Sequence, residues 1–246
     1  MTPPPTVLIV GATSAIAREV ARRYAADGAA LVLAARDRVR LAAVADDLRA
    51  RGAAAVETVP FEADDLDGHA ALVDALRQRA LDAALVAYGT LPDQGAVEHD
   101  PAAVAAAFTT NATSVVALLT RLADVFEAQG RGTLAVISSV AGDRGRPSNY
   151  VYGAAKGAVS LFAQGLRARL AASGVRVVTV KPGPVDTPMT AHLPRSPLLA
   201  DVGAVGARVH RAMARGADVV YAPGYWRPVM AAVRAVPERV FKRLGL

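Results

Sequence analysis

Short apolar runs alternate along the chain with longer segments in which apolar residues recur at helical spacing. The runs predict strands at Val7–Val10, Ala30–Ala34, Val56–Phe61, Ala83–Ala87, Thr133–Ser138, Val175–Val180 and Val219–Tyr221. The segments between them predict helices near residues 15–27, 38–51, 68–79, 101–129, 151–172 and 203–215. Strands that are apolar throughout and alternate with helices form a parallel sheet covered on both faces. The pattern therefore predicts an α/β fold, a doubly wound seven-stranded parallel sheet.

No linker rich in Pro, Gly or Ser divides the chain, so we expect one domain over residues 1–224 with residues 225–246 as its C-terminal amphipathic tail. The tail's apolar residues fall on one face of each of two predicted helices: Val229, Met230, Val233 and Val236, then Val240, Phe241 and Leu244. Basic side chains lie off these faces, and Tyr225 and Trp226 come just before. One interpretation is a peripheral anchor on an anionic membrane, and the other is a helix packed on the protein itself or on a neighbouring subunit.

The composition, 53% hydrophobic and 20% charged residues in a chain of 246, is typical of a globular protein. The absence of cysteine excludes thiol redox chemistry and thiolate metal sites. Four histidines, His69, His99, His192 and His210, are spaced too far apart for a metal-binding motif, so no metal is expected.

The net charge of +6 is concentrated near the C-terminus. Residues from 211 onward include seven basic and two acidic side chains, whereas the rest of the chain is almost balanced, with 21 and 20. This distribution does not give the basic face of a nucleic-acid-binding domain. The N-terminal residues lack a signal-peptide pattern and no apolar run approaches the roughly 18 to 20 residues of a membrane span, so a cytoplasmic location is expected.

The segment after the first predicted strand has the character of a phosphate-binding turn. Gly11 allows a tight turn, and Thr13 and Ser14 add hydroxyl donors where the first helix opens, at Ala15 and Ile16. A helix N-terminus offers free amide groups and a positive dipole end to a pyrophosphate. A plain turn is the alternative interpretation of a single glycine after a strand.

The end of the second predicted strand indicates which dinucleotide this turn would bind. NAD-binding sheets of the Rossmann type place an acidic residue there, whereas an Arg accommodates the 2′-phosphate of NADP. Here Ala34 and Ala35 occupy the acidic position and Arg36 follows, which favours NADP(H). Alternatively, Arg36 begins a solvated helix together with Arg38 and Arg40.

Tyr152 and Lys156 stand four residues apart in a predicted helix, so their side chains share a face. Only three of the 28 basic residues are lysines, which makes a lysine at this position distinctive. A phenol with a pKa of about 10 exchanges protons poorly near neutrality, and a nearby cation lowers that pKa. Ser139, at the end of the fifth strand, can hydrogen-bond the same substrate oxygen or serve as a cap or turn serine; Tyr150 has no lysine four residues on.

These residues resemble the catalytic pattern of the short-chain dehydrogenase/reductase family, and the likeness extends over nearly the whole chain. Ser139, Tyr152 and Lys156 match the family's Ser–Tyr–Lys set in identity and spacing, and Asn111 in TTNATS matches its fourth catalytic residue. The resemblance implies that Tyr152 donates a proton to a carbonyl while NADPH delivers hydride. Lys156 would hold the nicotinamide ribose and lower the Tyr152 pKa. Ser139 would orient the substrate, and Asn111 would support Lys156 through a water.

The same resemblance assigns cofactor contacts to Gly11, Thr13, Ser14, Ala15, Ile16, Arg36, Glu62, Ala63, Gly89, Tyr152, Lys156, Gly183, Val185 and Thr187. In PFEAD, either Glu62 or Asp64 takes the acidic role on the adenine side. The family's Gly-x-x-x-Gly-x-Gly reads Gly11-x-x-x-Ala15-x-Ala17 here, which adds methyl groups where the backbone approaches pyrophosphate.

The segments AYGTLPDQ, TPMTAHL and APGYWRPVM resemble a narrower branch that reduces a 2-keto sugar on a polyprenyl phosphate, decaprenylphosphoryl-2-keto-ribose, with a flavin-dependent oxidase as partner. Three hypotheses follow: an NADPH-dependent ketoreductase with a lipid-linked or hydrophobic substrate, a soluble oxidoreductase of the family with a small ketone or alcohol, and a non-catalytic NADP-binding regulator.

Two further segments carry expectations about assembly and access. The irregular stretch Pro182–Val202 follows the carboxyl end of a strand and is expected to act as a substrate lid. The predicted helix 151–172 carries small residues away from the site: Ala154, Ala158, Gly165, Ala168 and Ala172. Family resemblance makes this face a homodimer or homotetramer interface, and packing against the protein's own core is the alternative.

Overall fold

The computed structural model describes residues 3–77, 79–191, 196 and 198–244. Its strands are β1 (Thr6–Val10), β2 (Ala30–Ala35), β3 (Ala55–Pro60), β4 (Ala83–Val86), β5 (Gly132–Ile137), β6 (Val175–Pro182) and β7 (Val219–Ala222). Its helices are α1 (Ala15–Ala26), α2 (Arg38–Ala50), α3 (Gly68–Leu76), α4 (Gln94–Val97), α5 (Pro101–Phe108), α6 (Ser114–Gln129), α7 (Tyr150–Leu170), α8 (Val202–Arg215), α9 (Trp226–Ala235) and α10 (Glu238–Phe241). Short 3₁₀ turns cover Val140–Asp143, Ala171–Ser173 and Pro188–Thr190, and a π-helical segment covers Thr109–Thr113.

The strands form one parallel sheet in the order β3-β2-β1-β4-β5-β6-β7. Strand β1 lies inside the sheet and pairs on both sides, so that Val7 aligns with Leu31 of β2 and with Ala83 of β4. The strand order reverses between β1 and β4, and in open α/β sheets ligands bind at such a switch point, outside the carboxyl ends of the strands. The predicted doubly wound, seven-stranded parallel sheet is confirmed.

Two apolar layers cover the sheet, as the continuous apolar strands require. One buried cluster joins the sheet to α1, α2 and α8. The other joins its opposite face to α3, α6 and α7. The first strand contributes to both layers, with Val7 and Ile9 on one face and Leu8 and Val10 on the other.

The predicted elements agree with the structure apart from local differences. Strand β6 runs on to Pro182, and α4 was not predicted because its four residues are too few to show a helical period. The predicted helix 101–129 is interrupted by the π-helical segment. Residue 78 of the predicted helix 68–79 lies outside the described residues.

By length and composition, the helical stretch Pro101–Gln129 is long and apolar enough to cross a membrane. The sequence pattern did not indicate this, because Thr and Asn residues at 109–111 interrupt the apolar run. In the fold the stretch packs against α3, α7 and β5. It occupies the position of a core helix.

The C-terminal tail packs on the body of the protein. Trp226 and Met230 of α9 are buried against Val140 and Tyr221. The Arg144 guanidinium donates to the carbonyl oxygens that end α9, those of Val233, Arg234 and Val236, at 3.1, 3.1 and 2.6 Å. The packing interpretation of the tail therefore holds for these residues, while part of its apolar surface, at Val229, Val240 and Leu244, remains exposed.

Candidate active site

The carboxyl end of β5 is fastened to α7 by a buried serine. The Ser138 hydroxyl donates to the Lys156 carbonyl oxygen at 2.9 Å and shares a 2.7 Å hydrogen bond with the Ser160 hydroxyl. These hydrogen bonds tie α7 to the carboxyl end of β5. The next residue, Ser139, then faces the helix turn that carries Tyr152 and Lys156.

Close contact between two glycines holds the 3₁₀ turn Val140–Asp143 against α7. A Cβ at Gly142 would lie 2.6 Å from the Gly157 nitrogen and 2.7 Å from the Lys156 carbonyl carbon, both backbone atoms. Asp143 at the end of the turn is paired with Lys181 and accepts a 2.7 Å hydrogen bond from the Tyr221 hydroxyl. The turn that begins at Ser139 is thus fixed on both sides.

Ser139 is both a cap and a cleft residue. Its Oγ accepts a hydrogen bond from the Ala141 backbone N–H at 3.1 Å, as expected for the N-cap of the 3₁₀ turn. The same side chain lines the cleft beside Tyr152, and a contact between the two hydroxyl groups lowers the Tyr152 pKa. The two interpretations offered for this serine are compatible.

Tyr152 and Lys156 occupy the first two turns of α7, on the face that borders the cleft. Lys156 is 3% exposed, and its Nζ donates to the Ile137 carbonyl oxygen at 3.1 Å. Burial lowers the pKa of Lys156 to about 8. With its Nζ 5.8 Å from the centre of the Tyr152 ring, the ammonium faces the phenol without forming a hydrogen bond with the ring.

The Tyr152 phenol has a different pKa from the one expected. Burial raises the pKa of Tyr152 to about 12, and the hydrogen bond with Ser139 offsets only part of this rise. The expectation of a lowered pKa assumed that the cation dominates, whereas desolvation is the larger effect at this depth. At neutral pH the phenol therefore keeps its proton.

Asn111 lies behind the cleft, in the π-helical segment, and is fully buried. Its Nδ2 donates to the Ala107 carbonyl oxygen at 3.0 Å, the acceptor that an α-helix would give to the Asn111 backbone N–H. Its Oδ1 accepts from the Thr90 backbone N–H at 2.9 Å. A Cβ at Gly89, where φ is +154°, would lie 2.6 Å from this Oδ1 and 3.3 Å from the Lys156 Nζ. Asn111 and Lys156 thus meet at Gly89, as their pairing in the predicted set implies.

A single cleft of about 570 Å³ connects these groups with the N-terminus of α1. Every predicted catalytic or cofactor residue except Asn111 lines it, namely Gly11, Thr13, Ser14, Ala15, Ile16, Arg36, Glu62, Ala63, Gly89, Ser139, Tyr152, Lys156, Gly183, Val185 and Thr187. The structure therefore brings together residues that are separated by up to 176 positions along the chain. Their roles remain predictions.

The N-terminus of α1 is suited to an anionic ligand. Ser14, its N-cap, makes no side-chain hydrogen bond to the first turn, and that turn has no acidic residue. The unpaired first-turn amides and the helix dipole face the cleft. Gly11 needs its φ of +82°, whereas Ala15 and Ala17 lie in regular helix, so the two extra methyl groups introduce no backbone strain.

The cleft's adenine side shows how the predicted NADP determinants are arranged. The Arg36 side chain is 81% exposed, and its guanidinium is 3.7 Å from the Glu62 carboxylate. Asp37 next to it caps α2, accepting from the Arg40 backbone N–H. Asp64 instead accepts a hydrogen bond from Thr110, which leaves Glu62 nearer to the cleft's Arg36.

On the opposite side, the segment after β6 lines the cleft through Thr190. The Trp226 indole covers Gly183, since a Cβ there would lie 1.9 Å from its Nε1. Through Trp226, helix α9 of the tail thereby packs against this segment. Of the predicted lid Pro182–Val202, residues 192–195 and 197 lie outside the described residues, so the lid stays a prediction.

Sequence reasoning missed one wall of the cleft, the loop between the 3₁₀ turn and α7. Arg146 and Asn149 from this loop line the cleft. The Arg146 backbone carbonyl accepts from the Asn149 N–H at 3.1 Å, which closes a turn around Pro147. The sequence could have indicated this wall, because the loop lies between Ser139 and Tyr152 along the chain.

The outer face of α7 is free of the protein's own core. Ala154, Ala158, Gly165, Ala168 and Ala172 are all exposed, and Leu161 among them is 71% exposed. The alternative of packing against the core is therefore wrong. A homodimer or homotetramer interface on this face stays a prediction.

Comparison with known proteins bears on the whole chain. The model of the short chain dehydrogenase family matches residues 5–197. An uncharacterized oxidoreductase of Mycobacterium tuberculosis is 43% identical over 240 residues, covering 97% of this chain and 96% of the relative. A sulfoacetaldehyde reductase of Chromohalobacter salexigens is 36% identical over 195 residues, covering 75% and 74%.

A solved structure agrees with the fold. A short-chain dehydrogenase from Sphingobium yanoikuyae in complex with NADPH superposes with a TM-score of 0.82 at 29% identity, covering 95% of this chain and 97% of that one. The family match spans most of the sheet, and the Mycobacterium tuberculosis relative covers nearly the entire chain. The chain is an oxidoreductase that belongs to the short-chain dehydrogenase/reductase family.

Proposed function

We propose that the protein is an NADPH-dependent carbonyl reductase, acting in the cytoplasm on a ketone or aldehyde. The observation that carries this proposal is the convergence of Ser139, Tyr152 and Lys156 in one cleft with the open N-terminus of α1. A cofactor fits this cleft because the first-turn amides of α1 offer unpaired donors to a pyrophosphate. The family relative solved with NADPH supports the same assignment.

NADP(H) is proposed over NAD(H) from the end of β2. No carboxylate occupies the strand end, where NAD-binding sheets use one for the ribose hydroxyl, and the exposed Arg36 lies beside it. Arg36 would hold the 2′-phosphate, with Glu62 on the adenine side. When bound, the nicotinamide supplies hydride to the carbonyl carbon.

Side chains of the protein supply the proton that the carbonyl oxygen takes up. Tyr152 donates its phenolic proton to the carbonyl oxygen, so that the carbonyl becomes an alcohol. The raised Tyr152 pKa keeps this proton in place at neutral pH. Ser139 holds the carbonyl oxygen, and the Lys156 ammonium stabilises the phenolate that forms. Asn111 positions Lys156 from behind, at Gly89.

The substrate is the least constrained part of the proposal. A lipid-linked keto sugar, made by a flavin-dependent oxidase, follows from the narrower sequence resemblance, and a small soluble ketone is the second possibility. The sulfoacetaldehyde reductase among the relatives adds a small aldehyde to the candidates.

Loss of NADPH absorbance across a panel of carbonyl compounds tests the function. The panel includes keto sugars on short prenyl phosphates, simple ketones and sulfoacetaldehyde. Tyr152→Phe should abolish turnover while the fold and NADPH binding persist, because only the transferable proton is removed. Tyr150→Phe, at a 43% exposed neighbour that does not line the cleft, is the matched control and should remain active.

Two results would count against the proposal. Unchanged single-turnover hydride transfer in Tyr152→Phe would place the acid elsewhere. Stoichiometric NADPH binding without turnover of any carbonyl would favour a non-catalytic regulator.

A further inference from the structure

The loop residue Arg146 stands on the wall of the cleft that holds Ser139 and Tyr152. It follows Ser139 by seven residues and precedes Tyr152 by six, and the turn closed by its carbonyl and the Asn149 N–H fixes its backbone. Both ends of the loop are anchored, at the 3₁₀ turn Val140–Asp143 and at the start of α7. The guanidinium is therefore held at the substrate end of the cleft rather than on a free surface loop.

Arg146 has no partner among the described residues. Its Nε is buried without a hydrogen bond, and no carboxylate lies within salt-bridge distance of its guanidinium in the described ranges. All 22 acidic side chains of the chain fall within those ranges, so none is left to pair with it. Burial alone accounts for the lowered pKa of Arg146.

Two other half-buried arginines of this protein, Arg144 and Arg167, each have several acceptors. Arg144 donates to three carbonyl oxygens and pairs with Glu238 at 2.8 Å. Arg167 donates to two carbonyl oxygens and to the Thr179 hydroxyl, at 2.6 to 2.8 Å. A guanidinium carries five N–H donors, and burying it without acceptors is costly. The lack of acceptors around the Arg146 guanidinium among the described residues thus distinguishes it from Arg144 and Arg167.

Arg146 is also remote from the expected cofactor phosphates. Strand β5, which leads into its loop, is three strands from β2, where Arg36 lies, and two strands from β1, which leads into the Gly11 turn. At about 4.8 Å between neighbouring strands, these separations are roughly 14 and 10 Å. The N–H groups of Arg146 that have no acceptor among the described residues are therefore available to an anion other than the cofactor phosphates.

We propose that Arg146 forms an anion subsite for the substrate, so that the carbonyl compound reduced here carries a phosphate, phosphodiester, sulfonate or carboxylate group. This inference rests on the proposed reductase function and names its substrate class. The planar guanidinium fork pairs with two oxygens of such a group and thereby places the carbonyl beside Tyr152 and Ser139.

Matched pairs of carbonyl compounds that differ in charge test the subsite. Dihydroxyacetone phosphate is compared with dihydroxyacetone, sulfoacetaldehyde with propanal, and a keto sugar on a short prenyl phosphate with the free keto sugar. The wild type should prefer the anionic member of at least one pair. Which pair shows the preference distinguishes a free anionic substrate from a lipid-linked one.

Arg146→Gln should reduce kcat/KM for the preferred anionic compound about 10- to 100-fold and change the neutral compound's value less than threefold. Arg211→Gln, at an exposed arginine on α8 that does not line the cleft, is the matched control and should leave both values unchanged. NADPH affinity should also be unchanged in Arg146→Gln. Equal loss for the charged and neutral compounds, or a loss confined to NADPH binding, would overturn the inference.

Two measurements do not depend on turnover. Arg146→Met should keep or raise Tm, because it removes a buried charge without a partner, whereas a structural arginine would lower Tm on replacement. Isothermal titration of inorganic sulfate into protein saturated with NADP⁺ should show binding in wild type and at least tenfold weaker binding in Arg146→Gln. No difference between them in sulfate affinity would overturn the subsite, even if no carbonyl of the panel were reduced and the proposed function itself failed.

Discussion

Replacing Gly142 with alanine should separate the 3₁₀ turn that carries Ser139 from the helix that carries Tyr152. The added Cβ would lie 2.6 Å from the Gly157 nitrogen and 2.7 Å from the Lys156 carbonyl carbon. Neither backbone atom can rotate away, so the two elements must move apart by about 0.8 Å to reach an ordinary carbon contact of roughly 3.5 Å. The distance between the Ser139 and Tyr152 hydroxyls would change by a similar amount.

The two consequences of Gly142→Ala can be estimated separately. Overpacking of this kind costs about 1 to 3 kcal/mol in the free energy of unfolding. For a chain of this size that corresponds to a fall in Tm of roughly 2 to 12 °C. Displacement of a catalytic group by nearly 1 Å lowers kcat by about 10- to 100-fold. NADPH affinity should change little, because the N-terminus of α1 follows β1, two strands from the β5 that leads into the turn.

Gly145→Ala is the matched control for this experiment. Gly145 lies three residues away in the same loop, and a Cβ there would meet no atom within 4 Å. Thermal denaturation and steady-state kinetics on both variants separate packing from positioning. If Gly142→Ala keeps both the wild-type Tm and kcat, the close contact does not hold Ser139. If only Tm falls, the contact serves the fold and not the site.

Four further predictions concern the cofactor, the proton and the tail. Arg36→Ala should weaken NADPH binding tenfold or more by titration, through loss of about 1.5 to 3 kcal/mol from the 2′-phosphate contact, with little effect on NADH; equal wild-type affinities for the two would refute the assignment. The kcat/KM for carbonyl reduction should fall as pH rises through about 8, where the buried Lys156, with its lowered pKa, loses its charge; a flat profile to pH 10 would show that this charge is not needed. Arg144→Met should lower the free energy of unfolding by about 2 to 3 kcal/mol, since α9 loses its C-terminal hydrogen bonds, whereas Arg227→Met on the exposed side of α9 should not; unchanged denaturation of Arg144→Met would show that the bonds are dispensable. If the tail also meets a membrane, the protein should co-sediment with anionic but not neutral vesicles at low salt, and charge reversal of Arg239, Lys242 and Arg243 to Glu should abolish this; absence of binding at low salt would leave packing as the tail's only role.

The sheet could be predicted because its strands are apolar throughout, a pattern with few alternative structures. Seven such strands separated by helices form a doubly wound parallel sheet, and the carboxyl ends of the strands then meet at one edge. That edge is where Gly11, Gly89 and Ser139 lie. Local sequence and strand direction were therefore sufficient to place these residues together.

Features that depend on distant neighbours could not be predicted in this way. The finding that Arg146 has no carboxylate partner among the described residues requires the positions of all the carboxylates, which only the structure gives. The close contact of Gly142 with Gly157 depends on how α7 packs against the 3₁₀ turn Val140–Asp143, and sequence spacing does not give that packing. The same holds for the pKa of Tyr152, because the sequence indicated the nearby cation but not the depth of burial that outweighs it.

The tail shows how a correct pattern left two interpretations open. Apolar stripes at helical spacing are the same whether the helix lies on a membrane or on a protein surface. The structure supports packing on the protein for Trp226, Met230 and Phe241, which are buried. The carbonyl oxygens at the end of α9 accept hydrogen bonds from Arg144, which belongs to the body of the protein and not to the tail. No pattern within the tail itself indicated that partner.

Adjacent serines at the end of β5 illustrate how one strand separates structural from catalytic roles. Side chains alternate across a strand, so Ser138 and Ser139 must face opposite ways. Ser138 is 1% exposed, and its hydroxyl group forms hydrogen bonds with α7, at the Lys156 carbonyl oxygen and the Ser160 hydroxyl. Ser139 faces the cleft, where the Ala141 N–H occupies one lone pair of its oxygen. A hydroxyl held in this way retains its own proton, so it can donate to a carbonyl oxygen and leave the Tyr152 proton free for the same oxygen. The cap therefore orients the group that would hold the substrate, and removing the Ala141 contact should loosen that group even though no catalytic atom is lost.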